Sequence, residues 1–374
     1  MQNNLIMSEK NIETILEQNL ENATKQTFEL IEKLGHEKVV FINDKATGLK
    51  AIIAIHDTTL GPALGGTRIL DYENEQDALN DVLRLSRGMT YKAAISGLNL
   101  GGGKAVIIGD PKTVKTPELL RKYGEFIEEL NGKYITAEDV NTSPEDLEYV
   151  RQTTKHVVGL KDKSGDPSPF TAYGVLQGIK ASAFYLWGTK SLKGKKVVVQ
   201  GLGHVGTYLV DYLLKEEAEI IVSDINEEKV KEILKKDSSI KSIHPNYVVT
   251  YAADIYAPTA LGATVNKVTI PQFKYKIIAG GANNQLEDEE SDSLLLQKYG
   301  ILHAPDFLIN SGGLINVYQE LTNGDPTTVH SKIDKIYDKT LEVFNRSNLK
   351  SITPIIAAKE IAEEIIHHSR ISKN

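Results

Sequence analysis

Two lysines close together in the chain, Lys92 in MTYKAAIS and Lys104 in GLNLGGGKAVIIGD, are of a type and spacing that can act jointly on one small anion. A lysine at the start of a buried strand is partly desolvated, and two ammonium groups sharing a site disfavour each other's charge. From a reference near 10.4, such a lysine can be drawn down to about 7–8. It then works as a base while its neighbour stays cationic and holds a carboxylate. The glycines before Lys104 would let a bound molecule approach the backbone closely. Asp139, in YITAEDV, is an acid that can exchange protons. Taken singly, each of the three reads as an ordinary turn lysine or loop acid. A phosphate-cradling P-loop ending at Lys104 is excluded, because it needs glycine at 98 and Ser or Thr at 105, where the chain has Leu98 and Ala105.

A second constellation follows the apolar run KVVVQ: GLGHVG, with Gly201, Gly203 and Gly206 in G-x-G-x-x-G register and Leu202, His204 and Val205 between them. A helical segment and the run EIIVSD, ending on Asp224, complete a strand-turn-helix-strand unit. In such a unit the glycines permit a tight turn and close approach to a pyrophosphate, whose charge sits at the helix N-terminus. Asp224 stands where a carboxylate accepts hydrogen bonds from ribose hydroxyls and repels a 2′-phosphate, so NAD is expected over NADP. His204 reads equally well as a residue at the helix start that points away from the cofactor.

The elements that must position these residues are legible in outline. EKVVFIND and GLKAIIAIHD are β-branched runs that read as neighbouring strands. EQDALNDVLRLSRGMTYKAAIS sets Leu79, Val82, Leu83 and Met89 at helical spacing and delivers Lys92 at its far end. KAVIIG is a short strand beginning at Lys104. Thr116-Pro117-Glu118 opens a helix that Asn131-Gly132 closes, and Ser143-Pro144 opens another. KDKSGDPSPFTAY suggests a hinge or linker before a helix beginning near Thr171. Beyond it KVVVQ, EIIVSD, DIYAP, KIIAG and ILHAP alternate with helical segments, the signature of a parallel α/β sheet. Lys332 to Ser369 is helical in period and is expected to return toward the first domain.

A chain of 374 residues exceeds one ordinary core and favours two domains. Its 43 basic and 50 acidic residues leave a net charge of −7, with no electrostatic footprint for nucleic acid or an anionic membrane. Cysteine is absent, which removes disulfides, thiolate nucleophiles and cysteine-bound zinc, and no compact histidine cluster argues for a metal. The polar N-terminal segment has no signal-peptide core, and no apolar run reaches transmembrane length. A cytoplasmic location is expected.

MTYKAAISGLNLGGGKAVIIGDP, KYITAEDV, DPSPFTAYGV, VQGLGHVGTYLV, APTALGA, IAGGANNQL and APDFLINSGGLINV, in this order, resemble the glutamate, leucine, phenylalanine and valine dehydrogenase family. The match is nearest to its leucine-specific members, as HDTTLGPALGGTRIL also indicates, and runs from about Gly35 to the end. The resemblance implies an α/β protein with a substrate-binding and oligomerisation domain over 1–158 and a Rossmann domain over 159–345. Residues 1–26 would be an extension, and helices in 346–374 would pack back onto the first domain. It implies reversible oxidative deamination of a branched-chain L-amino acid by NAD to the 2-oxo acid, ammonium and NADH, in a homo-oligomer such as an octamer.

Carried over residue by residue, the resemblance makes Lys92 the binder of the substrate carboxylate, Lys104 the activator of water and Asp139 the proton shuttle to the nitrogen. Gly65 and Met89 would line the substrate site, with Leu64, Ala137, Leu314 and Val317 at its side-chain pocket. Thr171 and Asn284 would lie near the nicotinamide. Those pocket positions are apolar, which disfavours glutamate, since a buried unpaired carboxylate costs several kcal/mol. One methylene is worth about 0.8 kcal/mol, so leucine, valine and isoleucine should all be accepted. Leu314 where valine is usual narrows the pocket, and Asn141 stands where glycine is common. Valine or phenylalanine dehydrogenase, and a non-catalytic sensor of the same fold, are the alternatives; the presence of Lys92, Lys104 and Asp139 speaks against the sensor.

Overall fold

The computed structural model describes residues 27–373 apart from 162, 164 and 261, so the extension expected over 1–26 lies outside the described residues. In the first half, β1 (Lys38–Asp44), β2 (Leu49–Asp57), β3 (Ala63–Leu70), β4 (Gly101–Ile108) and β5 (Tyr134–Glu138) form a mixed sheet ordered β1-β2-β4-β3-β5. β2 pairs antiparallel with β1 and β4, while β3 runs parallel to both β4 and β5. Helix α1 (Glu75–Ile95) covers one face, where Val106 and Ile52 pack with Leu79, Val82 and Leu83. Helix α2 (Pro117–Glu129) covers the other, where Ala105 and Ile107 meet Leu119, Tyr123 and Ile127. Strand alternation therefore puts Gly102, Lys104 and Val106 on the α1 side.

The caps at Thr116 and Ser143 are those the sequence indicates, and Asn74 adds a third. Asn74, Thr116 and Ser143 each accept a backbone N–H in the first turn of α1, α2 and α3 (Pro144–Val150), and Ser143 forms a capping box with Asp146. Asn141 adopts a left-handed φ of +61°, the conformation glycine would supply, and its amide donates to Ile69 O at 2.9 Å.

The strand expected to begin at Lys104 begins at Gly101 instead, so the glycines lie inside a central strand. They do not open room for a ligand. A Cβ on Gly102 would fall 2.1 Å from Thr90 N and 2.4 Å from Ser86 O, both in the backbone of α1. The close approach that glycine permits is here an approach of helix to sheet.

In the second half, β6 (Lys196–Gln200), β7 (Glu219–Ser223), β8 (Lys241–Ser242), β9 (Ile255–Pro258), β10 (Ile277–Ile278) and β11 (Leu302–His303) form a sheet ordered β11-β10-β9-β6-β7-β8. Every pairing in it is parallel, and the order reverses at β6, the doubly wound arrangement with its switch point beside that strand. Helix α4 (Ser168–Trp187) starts ahead of Thr171, because Pro169 falls in the first turn, where no intrahelical N–H is required. Helices α5 (His204–Lys215) and α6 (Gly312–Leu321) follow.

The helical span from Lys332 is two helices, α7 (Val329–Lys350) and α8 (Pro354–Lys373). They are separated at Ser351, whose φ is +56°, and Pro354 opens α8. Helix α8 lies against the first half: Arg370 pairs with Asp57 at 2.8 Å, and Tyr91 OH donates to Glu363 at 3.0 Å. Among the described residues no helix is long and apolar enough to cross a membrane.

Candidate active site

Between the two halves lies a cavity of about 310 Å³. From the first half Leu64, Met89, Lys92, Lys104, Ala137 and Asp139 line it; from the second come Thr171, Val205, Asn284, Leu314 and Val317. Gly65 stands behind that wall, its carbonyl accepting from Tyr134 OH at 2.6 Å, and Gly66 lines the cavity in its place.

Strand β4 presents Lys104, 5% exposed, to Asp139 at the end of β5; Nζ lies 3.0 Å from Oδ1. The other carboxylate oxygen accepts from Arg68 Nε at 2.8 Å. Burial works against the charge on Asp139, but the cations of Lys104 and Arg68 outweigh it and hold the carboxyl well below the usual carboxylate range. Lys92, in the last turn of α1, is pushed down to about 8, first by loss of water and then by the charge of Lys104, with Asp306 and Asp139 opposing. Its Nζ donates to Asn283 Oδ1 at 3.3 Å, an oxygen that also accepts from Asn310 Nδ2 at 2.8 Å. The cluster can therefore bind a carboxylate at Lys92, whose charge that anion would restore. It also offers an acid and a base in contact for moving protons.

At the switch point, Gly201 takes a φ of +104° and Gly203 precedes α5, whose first N–H groups have no side-chain cap. A Cβ on Gly203 would meet nothing within 4 Å, whereas one on Gly206 would fall 1.9 Å from Gly201 O. One glycine thus leaves open space for a ligand and the other lets helix and turn close up, as a dinucleotide loop requires. Asp224 Oδ2 accepts from Leu202 N at 2.6 Å and Oδ1 from Asn226 N at 2.8 Å, which fixes the carboxylate beside the loop. These residues fit a dinucleotide. His204, exposed at the start of α5, is felt electrostatically by Glu138. We expect Gly206→Ala to destabilise the protein by about 1–3 kcal/mol through overpacking. It should also weaken NADH binding, as thermal melts and fluorescence titration would show; unchanged melting and binding would mean that the turn can shift at no cost.

Residues 36–156 match the Glu/Leu/Phe/Val dehydrogenase dimerisation domain, and residues 164–366 match the Glutamate/Leucine/Phenylalanine/Valine dehydrogenase domain. The chain belongs to the Glu/Leu/Phe/Val dehydrogenase family. It is 48% identical to an L-tryptophan dehydrogenase of Nostoc punctiforme over 93% of this chain and 98% of that protein. It is also 48% identical to a leucine dehydrogenase of Bacillus subtilis strain 168, over 93% and 96%. Among solved structures, L-tryptophan dehydrogenase from Nostoc punctiforme superposes with a TM-score of 0.80 at 46% identity, covering 92% of this chain and 99% of that one. As a member of this dehydrogenase family, the protein is an NAD(P)-dependent amino-acid dehydrogenase, an oxidoreductase acting on the CH–NH₂ group.

Within this dehydrogenase cleft, Arg68, Asn283, Asp306 and Asn310 also belong to the Lys92–Lys104–Asp139 cluster, although the sequence does not single them out. Arg68 left a signal, a lone cation in the otherwise uncharged strand ALGGTRIL. The other three sit in loops and in a short turn of helix, and their partners are distant in sequence. Among the described residues no group of three or more His, Asp and Glu is placed to hold a metal.

Proposed function

We propose that this protein is a leucine dehydrogenase, catalysing the reversible NAD-dependent oxidative deamination of L-leucine, valine and isoleucine. The observation that carries the reading is the Lys92–Lys104–Asp139 cluster lining one cavity with the apolar side chains of Leu64, Met89, Ala137, Leu314 and Val317. Lys92 binds the substrate carboxylate. Asp139 takes a proton from the α-ammonium group and leaves the amine neutral. A dinucleotide held at the Gly201–Gly206 loop and Asp224 would supply the acceptor for the α-carbon hydride. Lys104 then removes a proton from the water that adds to the imine carbon, Asp139 returns its proton to the nitrogen, and the freed Asp139 carboxylate accepts the hydroxyl proton as ammonia departs and the carbonyl forms. Asp224 favours NAD, because a 2′-phosphate beside its carboxylate would meet like charge.

The same reading divides the chain into a substrate-binding and oligomerisation domain over 1–158 and a Rossmann domain over 159–345, assembled as a cytoplasmic homo-oligomer. An aromatic substrate is the second reading, supported by the L-tryptophan dehydrogenase relative, which is as similar as the leucine dehydrogenase one. Steady-state kinetics with leucine, valine, isoleucine, phenylalanine, tryptophan and glutamate, with NAD and with NADP, decide between them. The expected order is branched-chain above aromatic above glutamate, with NAD well above NADP. A higher kcat/KM for tryptophan than for leucine would replace the first reading by the second, and no turnover on any of them would remove both.

A further inference from the structure

Asp139 is held from two sides by cations of different character. Lys104 approaches Oδ1 at 3.0 Å with an ammonium that can rotate and give up a proton. Arg68 approaches Oδ2 at 2.8 Å with a planar guanidinium that does not deprotonate in proteins. Arg68 is itself immobilised. It leaves β3 opposite Val106, so it shares the α1 face with Lys104, and its side chain is only 15% exposed. Its other arm lies 2.9 Å from Asp81 Oδ2 on α1, an oxygen that also accepts from Tyr72 OH at 2.7 Å. One rigid fork thus ties β3, α1 and the end of β5 together at the carboxylate.

Building on the dehydrogenase reading above, we propose that Arg68 is a positioning residue. By holding Oδ2, it confines proton exchange with the substrate nitrogen to Oδ1, the oxygen that Asp139 shares with Lys104. A proton taken from the nitrogen then arrives next to Lys104 Nζ, and the acid and the base work as one relay.

The charged and titratable groups around Asp139 are Lys104 on β4, Arg68 on β3, Lys92 on α1, and Glu138 and Tyr134 on its own strand, with Asp81 behind Arg68. Removing Arg68 frees Oδ2 and takes away one cation, so the Lys104–Asp139 relay as a whole holds its proton more tightly and the acid limb of the pH–rate profile, on which the relay must lose a proton, moves to higher pH. Neutralising Asp81 leaves Arg68 in place without its competing anion, so the limb moves to lower pH. A merely structural arginine would not produce shifts of opposite sign.

The test measures kcat and KM for the best amino-acid substrate with NAD, from neutral to alkaline pH, for the parent protein, Arg68→Met, Arg68→Lys and Asp81→Asn. Arg68→Met is expected to lose at least about tenfold in kcat, with KM changed by less than about threefold, and to move the acid limb up by about one pH unit. Arg68→Lys should recover part of kcat, because charge returns without the fork. Asp81→Asn should move the limb down. If Arg68→Met does not fold, the other two variants carry the comparison. Limbs that stay in place, or that move in the same direction for Arg68→Met and Asp81→Asn, overturn the proposal and leave the dehydrogenase reading intact. A parent protein inactive on every amino acid removes that reading, and the proposal with it.

Discussion

Lys104→Ala lowers kcat by about 10²–10⁴-fold, the range lost with a general base, while the dissociation constant of NADH changes by less than about twofold. Lys104 is nearly enclosed on β4 and engages Asp139, whereas the Gly201–Gly206 loop that would hold the dinucleotide belongs to the other sheet. Loss of the ammonium also strips Asp139 of one of its two cations and leaves Arg68 as the other. Isothermal titration with NADH, beside stopped-flow measurement of the first turnover, separates the two effects. Collapse of NADH affinity along with turnover would transfer Lys104 to the cofactor site and defeat the assignment.

Lys92→Met should raise KM for the amino acid by roughly 10- to 150-fold, the worth of one charge-assisted hydrogen bond to a carboxylate of about 1.5–3 kcal/mol. The same change should raise the melting temperature. Burial lowers the group from 10.5 to about 8, so the folded protein holds its proton less tightly than the unfolded chain does. The charged ammonium therefore costs stability in full below about 8. That cost fades as pH rises toward 10.5, where both states lose the proton. The stability advantage of Lys92→Met is accordingly greatest at neutral pH and vanishes above 10.5. Melts at both pH values, alongside KM measurements, check the pair of effects. A variant less stable at neutral pH would mean that Lys92 contributes more through its contacts with Asn283 and Asp306 than it costs through desolvation.

Local signals carried much of this architecture. Caps at Thr116 and Ser143 depend on one side chain and a backbone N–H within the same turn, so sequence alone exposes them. The parallel sheet was legible because its strands are short apolar runs punctuated by helices, and the GLGHVG loop because its constraint lies between neighbouring residues. Long-range relations were not legible. That GGG belongs to a central strand depends on the backbone of α1 arriving over Gly102, and that Arg68 serves Asp139 depends on β3 and β5 pairing in parallel. Helices at the end of the chain were legible, but not the point of their separation, which Ser351 makes with a left-handed turn.

The contact of α1 with Gly102 makes the separation of Lys92 from Lys104 a dimension of the main chain. An interface built of side chains absorbs a substitution by changing rotamers. Here the backbone of β4 rests against the backbone of α1 and the short Thr90 side chain, two residues from each lysine. A Cβ at 102 would have to retreat from 2.1 Å to an ordinary contact of at least 3.4 Å, carrying the helix and its lysine outward by about an ångström. Misplacement of that size can cost about 10²-fold in rate. The glycine acts as a gauge block: the spacing of the reacting groups is machined into the scaffold by the absence of a side chain, and the precision so obtained leaves that position no freedom to vary.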